Sequence, residues 1–291
     1  MTPDDIRDAL AQHDYVADEG LSTAIFLAIE LRRPLLLEGE AGVGKTEVGN
    51  VLAKWIGGEL IRLQCYEGID VSQAVYEWDY SRQLLHLRAA EVAHEHVVED
   101  ELYSERFLVR RPLLRAIAHS DGVPPVLLVD EVDRADDEFE AFLLEILSDY
   151  AITIPELGTF RAERPPVVVM TSNRTRDLHD ALKRRCIYHW IDYPDFEREL
   201  AIVRVRAPGV AESLARQVAA AVEELRSLEL YKPPGVAETI DWAEALTRLG
   251  ASELDERGME STLGAVLKYR EDQQRVRAHG FDEIMRATRR G

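Results

Sequence analysis

Residues 39–46 place glycines, a lysine and a threonine in the G-x-x-x-x-G-K-[ST] pattern of a phosphate-binding loop. In such a loop the glycines let the backbone wrap closely around phosphates, with its N–H groups pointing inward. The lysine meets the β- and γ-phosphates, and the hydroxyl that follows it ligates magnesium. An ordinary glycine-rich turn needs neither a strand before it nor a helix after it, and the sequence indicates both. The pattern therefore predicts a nucleotide site made of Gly39, Glu40, Ala41, Gly42, Val43, Gly44, Lys45 and Thr46.

Two carboxylates, Asp130 and Glu131, directly follow the apolar run 126–129. Ligands bind at the carboxyl ends of strands in open α/β sheets, and this run reads as a buried strand. We expect Asp130 to hold magnesium, directly or through water, and Glu131 to polarise a water for attack on the γ-phosphate. The alternative interpretation is an acidic, solvated turn, since Asp133 and residues 136–138 add further acidic charge. We interpret those later residues as a solvated helix start.

A polar amide and a basic cluster complete the candidate set. Asn173 follows the apolar run 166–170, where its side chain can reach the γ-phosphate and orient the attacking water, although Ser-Asn is also a frequent turn or helix cap. Arg184 and Arg185 stand with Lys183 just before another apolar segment. A basic cluster in an acidic chain indicates an anionic partner, and a phosphate bound by a neighbouring subunit is one candidate. An exposed solubilising run is the alternative.

Short apolar runs alternate with helical patterns up to about residue 192. The predicted strands are 34–38, 60–64, 125–129, 166–170 and 187–191. Helical patterns such as 45–56 and 139–148 separate them, which favours an α/β fold with a parallel five-stranded sheet and helices on both faces. The later segments 196–206, 210–228, 239–249 and 261–277 all read as helices. We therefore predict an α/β core over 1–192 and a small all-helical domain over 193–291.

Composition narrows the possible partners. The 291 residues include 54 acidic and 35 basic side chains, for a formal net charge of −19. The resulting field repels polyanions, which disfavours nucleic acid as the main partner. The two cysteines form no C-x-x-C pair and the N-terminus carries no secretory pattern, so we expect a cytoplasmic protein. The sequence contains no run of about 18 apolar residues, so it predicts no membrane span.

The order of these features resembles that of the AAA+ ATPases. It consists of the phosphate loop, the Asp-Glu strand end, the strand-end asparagine, the arginine pair and a helical C-terminal domain. The string 33–39 and the long segment between the loop and Asp130 look like the MoxR family. The strings 64–68, 76–78 and 188–192 look most like its subgroup of carbon monoxide dehydrogenase accessory ATPases. The resemblance covers nearly the whole chain.

The resemblance implies an ATP hydrolase that uses ATP and Mg²⁺, with a sheet of order 5-1-4-3-2 and a helix-2 insert around residues 66–90. It implies a homo-hexameric ring in which Arg185 or Arg184 acts as an arginine finger on the next subunit's nucleotide. It further implies a chaperone-like role in maturing a client metalloenzyme or inserting its cofactor. A von Willebrand factor A domain protein would be the partner in that work.

The same resemblance places residues 66–82, including Tyr76, Trp78 and Tyr80, at the ring's pore or against a partner. A hairpin predicted over 150–161 would lie there too. The alternative is that these aromatic side chains simply pack in the core, because aromatic residues at near-helical spacing more often do so.

One position departs from the family pattern. Many AAA+ proteins carry a sensor-2 arginine at the start of a helix in the C-terminal domain, where Val236 stands in this chain. Lys232 lies nearby and could act as a point charge in its place. The alternative is a helical domain that responds to nucleotide more weakly.

Three other function classes share parts of this pattern. A GTPase or small-molecule kinase uses the same loop, but the chain has no Asn-Lys-x-Asp guanine signature and the helical domain would be unexplained. A nucleic-acid-associated AAA+ motor is disfavoured by the net charge of −19. A nucleotide-binding regulatory adaptor with little turnover is disfavoured because Lys45, Asp130, Glu131 and Asn173 are all present.

Overall fold

The computed structural model describes residues 1–94, 96–120 and 122–288. The strands are β1 (Leu35–Gly39), β2 (Leu60–Gln64), β3 (Tyr76–Trp78), β4 (Leu108–Arg110), β5 (Val126–Asp130), β6 (Ala151–Ile154), β7 (Gly158–Arg161), β8 (Val167–Ser172) and β9 (Ile187–Ile191). The helices of the first half are α1 (Pro3–Gln12), α2 (Glu19–Glu30), α3 (Lys45–Ile56), α4 (Val71–Ala74), α5 (Tyr80–Ala93), α6 (Glu99–Leu102), α7 (Pro112–Ile117) and α8 (Asp137–Asp149). Those of the second half are α9 (Asp180–Arg185), α10 (Phe196–Arg206), α11 (Glu212–Ser227), α12 (Val236–Arg248), α13 (Glu256–Val266), α14 (Arg270–His279) and α15 (Phe281–Thr288).

Five strands form the central sheet in the order β2-β5-β8-β1-β9. Counted among themselves in chain order, these strands have the order 5-1-4-3-2, so the predicted fold is confirmed. The pairs β2/β5, β5/β8 and β8/β1 are parallel, which brings their carboxyl ends to one edge. Every residue of β1 and β5 is buried. This burial explains their continuous aliphatic sequences, because strands covered on both faces do not alternate with polar residues.

The chain divides into two compact units. The first contains residues 1–6, 19–38 and 46–189, and the second contains 7–18, 39–45 and 190–291. Strands β2, β5 and β8 supply much of the apolar core of the first unit. The domain boundary predicted after residue 192 stays a prediction.

The second unit has an apolar core of its own, built mainly from α10 to α13. Trp242 is fully buried there, and its indole N–H donates to Thr262 Oγ1 at 2.7 Å. The single helix predicted over 261–277 is wrong, because α13 and α14 are separate helices. The chain leaves the helical conformation at Leu267 (φ −115°, ψ 117°), whose side chain is buried in this core. Neither glycine nor proline stands at 266–270, so the sequence carries no stop signal at this break.

One aromatic residue of the insert, Trp78, does not lie as the resemblance implied. Trp78 is buried in the core of the first unit and packs edge-on against Tyr103, with ring centroids 5.3 Å apart. Its strand β3 pairs with β4 in an antiparallel sheet. The proposed pore contact is therefore wrong for Trp78, whereas Tyr80 is 65% exposed. The hairpin predicted over 150–161 is confirmed by the antiparallel pair β6/β7.

Among the described residues, none of the helices combines the length and the hydropathy that crossing a bilayer requires.

We expect the two cysteines to be inert toward thiol reagents in the folded protein. Burial, with nearby acidic charge at Cys65, raises the pKa of the Cys65 thiol to about 12, and burial likewise raises that of Cys186 to about 12. Because the thiolate is the reactive form, labelling near neutral pH should be slower than after unfolding in urea by at least about 100-fold. Absorbance with a chromogenic disulfide measures both rates. Rapid labelling of the native chain would contradict this prediction.

Candidate functional site

Local backbone geometry explains the glycines of the phosphate loop. Gly42 and Gly44 have φ values of +82° and +95°, which side-chain-bearing residues rarely adopt. The loop runs from the end of β1 into the first residue of α3, as the pattern predicted. Lys45 is buried, and its Nζ donates to the carbonyl oxygens of Gly39 at 2.7 Å and Glu40 at 2.6 Å. The loop therefore holds the lysine ammonium over its own backbone.

The start of α12 approaches this loop closely within the second unit. The backbone N–H of Val236 donates to Gly42 O at 2.9 Å. A Cβ atom on Gly235 would lie only 2.9 Å from Gly42 Cα, so glycine is required at this approach. Val236 stands at the position that the family pattern gives to a sensor-2 arginine, and it contacts the phosphate loop through its backbone N–H. Lys232, the other candidate, is exposed, and its backbone N–H donates to Asp272 at 3.0 Å.

At the end of β5, the Asp130 carboxylate lies among three donors. It is 2% exposed and accepts hydrogen bonds from Thr46 Oγ1 at 2.9 Å, Thr171 Oγ1 at 2.6 Å and Arg62 Nη2 at 2.5 Å. The structure thus places Asp130 and Thr46 together, although they lie far apart in sequence. A carboxylate beside a hydroxyl is an all-oxygen donor set of the kind Mg²⁺ prefers, so these two residues fit that ion.

Glu131 adopts a left-handed backbone conformation, with φ +55°. This conformation is uncommon for a non-glycine residue and persists where the surroundings enforce it. Here the Glu131 N–H donates to Thr171 Oγ1 at 2.9 Å. Its carboxylate lies 2.8 Å from Arg134 Nε and accepts from Gln64 Nε2 at 3.2 Å. Residues of β2 and β8 therefore hold both members of the Asp-Glu pair, and sequence reasoning did not identify them.

We predict that Thr171→Val destabilises the protein by about 1–3 kcal/mol, since it removes the partner of a buried carboxylate and of a backbone N–H. The midpoint and slope of urea unfolding measure the change. The matched control is Thr153→Val, which removes an exposed hydroxyl that pairs with Thr159 at 2.8 Å. That control should stay within about 0.5 kcal/mol of the native chain. Equal effects of the two substitutions would contradict the prediction.

Hydrogen bonds join the segment that follows β5 to the segment that follows β8. Asp133 Oδ2 accepts from Thr175 N at 2.8 Å and from Thr175 Oγ1 at 2.7 Å. Asp133 is 2% exposed, so its assignment to a solvated helix start is wrong. Asp136 does begin the helix, because its side chain caps α8. The half-buried Asn173 follows β8 directly, and β8 is the neighbour of β5, as its predicted placement requires.

The three basic residues of α9 have separate surroundings. Lys183 Nζ lies 3.8 Å from Glu38 Oε1, and Arg185 Nη1 donates to Ser148 Oγ. Arg184 is exposed, and within the described part of the chain its guanidinium has no partner. Arg33 holds the end of this helix, donating to Arg185 O at 2.8 Å and to Cys186 O at 3.2 Å. Arg184 and Arg185 are both exposed, and they differ in that Ser148 engages the guanidinium of Arg185.

Sequence reasoning missed Arg33 and Glu38. Glu38 had a detectable signal, since it is a charged residue in the otherwise aliphatic strand β1. Arg33 had none, because its partners lie about 150 residues later in the chain.

One known protein family matches the part of the chain that contains this site. The profile of the AAA domain (dynein-related subfamily) matches residues 34–186, which is more than half of the chain. Among curated proteins, none matches the sequence.

Among solved structures, the chain resembles Thermotoga maritima RuvB. A proline-to-glycine variant is 15% identical, with 94% of this chain and 73% of that chain covered and a TM-score of 0.51. A lysine-to-arginine variant is 16% identical, with 88% and 70% covered and a TM-score of 0.50. The structure described as the RuvB Holliday junction branch migration motor is 15% identical, with 90% and 69% covered and a TM-score of 0.48. At this level of identity the two structures with TM-scores of 0.51 and 0.50 support the fold alone.

The matched profile spans the phosphate loop, the Asp-Glu strand end, the strand-end asparagine and the arginine pair. The chain belongs to the AAA domain family, in its dynein-related subfamily, and is an ATP hydrolase of the AAA+ class.

Proposed function

We propose that this protein is a MoxR-like ATPase, most similar to the carbon monoxide dehydrogenase accessory subgroup, that acts as a homo-hexameric ring in the cytoplasm. It uses ATP hydrolysis to remodel a client protein. The observation that carries the ATPase part is the buried Asp130 carboxylate, which lies within hydrogen-bond distance of Thr46 and Thr171. An α/β core over 1–192 and a helical lid over 193–291 are the two parts that move during the cycle.

The phosphate loop binds the nucleotide. Its backbone N–H groups surround the phosphates, and the Lys45 ammonium turns from the carbonyls that hold it toward the β- and γ-phosphates. Thr46 and Asp130 hold Mg²⁺, which when bound neutralises charge on the transferred phosphoryl group. Arg62 contacts the same carboxylate and would compete with the cation for it.

Glu131 acts as the general base. Its left-handed backbone and the hydrogen bond from its N–H to Thr171 fix the position of the residue's backbone. Contacts with Gln64 and Arg134 restrict the orientation of its carboxylate. Asn173, at the end of the neighbouring strand, orients the attacking water at the γ-phosphate. The link between Asp133 and Thr175 keeps these two strand ends in register.

Arg184 acts in trans on the nucleotide of the next subunit. Its guanidinium has no partner among the described residues, which supports this role, whereas the equally exposed Arg185 is engaged by Ser148 in its own subunit. Arg33 and Ser148 thus hold the helix so that Arg184 projects from it. An arginine finger of this kind is always charged and can bind phosphate oxygens with two N–H groups.

The client is a metalloenzyme that gains its cofactor or is matured with the help of a von Willebrand factor A domain protein. The family resemblance supports this assignment, and the net charge of −19 favours a protein client over a nucleic acid. The exposed face of the insert, with Tyr80, Leu84 and Leu85, is available to such a partner.

Turnover measured against protein concentration tests the ATPase ring. Phosphate release per chain should rise with concentration, in step with an ATP-dependent increase in size seen by sedimentation. GTP should support less turnover than ATP, and DNA should not stimulate it. Turnover that is independent of concentration would overturn the ring, stimulation by DNA would favour the nucleic-acid motor, and ATP binding without turnover would favour the adaptor.

A further inference from the structure

A cluster of side chains surrounds the buried carboxylate of Glu38, which ends the apolar part of β1. Glu38 is 2% exposed. Its carboxylate accepts from Tyr188 OH at 3.1 Å and from Ser172 Oγ at 3.4 Å, and it lies 3.8 Å from both Arg174 Nε and Lys183 Nζ. We call these five residues the Glu38 cluster.

The members of the Glu38 cluster flank groups to which we assign roles in hydrolysis. Ser172 and Arg174 stand on either side of Asn173, and Lys183 directly precedes Arg184. A single carboxylate therefore contacts both neighbours of the water-orienting amide and the residue before the arginine finger.

The charges of the Glu38 cluster favour an energetic link between Arg174 and Lys183 over simple packing. A buried charge is costly unless it is paired, so Glu38 binds whichever cations reach it. Arg174 approaches one of its oxygens and Lys183 the other. At 3.8 Å both contacts are longer than a charge-assisted hydrogen bond. When one cation moves away from the carboxylate, the other gains in attraction to it.

We infer that Glu38 is a positioning residue that links the nucleotide-sensing end of β8 to the helix of Arg184. This inference rests on the proposed function. A shift of Asn173 toward the γ-phosphate moves Arg174, which changes the charge that Glu38 presents to Lys183 and so reorients α9. The nucleotide state of a subunit thereby controls how that subunit presents Arg184 to its neighbour.

A double-mutant cycle between Glu38→Gln and Arg184→Ala tests the link, because a residue that acts through Arg184 has no effect once Arg184 is gone. Glu38→Gln keeps the size of the side chain and removes its charge. With Arg184 present it should slow kcat about tenfold, as a small misplacement of a catalytic group does. With Arg184→Ala present it should change kcat by less than about twofold. Affinity for a fluorescent ATP analogue should stay within about twofold throughout.

Two further variants control for misfolding and for the general effect of removing a buried charge. Lys183→Gln breaks the same link from a more exposed position and should show the same dependence on Arg184, which covers the case that Glu38→Gln folds poorly. Glu199→Gln makes the matched change at another buried carboxylate, which pairs with Arg226 at 2.7 Å in the second unit. Any slowing that it causes should be equal with and without Arg184.

The outcomes are separable. If Glu38→Gln and Lys183→Gln slow turnover equally in both backgrounds, or not at all, the link is overturned while the ATPase ring stands. If Arg184→Ala itself leaves turnover unchanged, the trans role of Arg184 is overturned, and the inference falls with it.

Discussion

Replacing Glu131 with glutamine is expected to lower ATP turnover about 10²–10⁴-fold, the usual contribution of a general base, while ATP binding stays within about twofold. Glutamine keeps the size of the side chain and cannot accept the proton from water. The backbone bond from residue 131 to Thr171 does not depend on the side chain, so the left-handed turn should persist. Phosphate release and binding of a fluorescent ATP analogue are the two measurements.

The matched control is Glu138→Gln, because Glu138 is an exposed acidic residue of the first turn of α8. It should match the native chain in both measurements. Loss of binding together with turnover in Glu131→Gln would show that Glu131 supports the site rather than the chemistry. Native turnover in that variant would remove Glu131 from the mechanism altogether.

The inner strands β1 and β5 could be predicted because they are buried on both faces and appear as short aliphatic runs. The edge strands β2 and β9 are only partly buried, and the predicted 60–64 and 187–191 coincide with their bounds. The order of the strands followed from the family resemblance and not from the runs themselves. The antiparallel pair β3/β4 was not predicted, since two strands of three residues separated by about 30 residues leave no periodic signal.

The candidate site was predicted as far as its motifs extend along the chain. Patterns identify Lys45 and Asp130 because their spacing to a strand or helix is fixed. They do not identify Arg62 or Glu38, whose partners are chosen by the pairing of strands distant in sequence. They also misassigned Asp133, because an acidic run looks solvated until the fold shows Thr175 beside it. Tertiary placement therefore decided which of several similar charges belong to the site.

The same placement separates Arg184 from Arg185. Arg184→Ala is expected to lower turnover about 10³-fold at concentrations where the native chain assembles, because an arginine finger contributes at least this much. ATP binding by the altered subunit should be unchanged, since the residue serves the neighbouring nucleotide. Arg185→Ala is the matched control and should cost less than about tenfold, because it removes only the contact with Ser148.

Mixing subunits tests whether Arg184 acts in trans. A Lys45→Ala subunit binds nucleotide poorly but keeps its own Arg184, so it can supply the missing guanidinium to an Arg184→Ala neighbour. Neither variant alone should turn over ATP well, and the mixture should recover a substantial part of native activity. No recovery would place Arg184 outside the neighbouring site. A large loss in Arg185→Ala with none in Arg184→Ala would reverse the assignment, and the bond to Ser148 would then have to break when the ring forms.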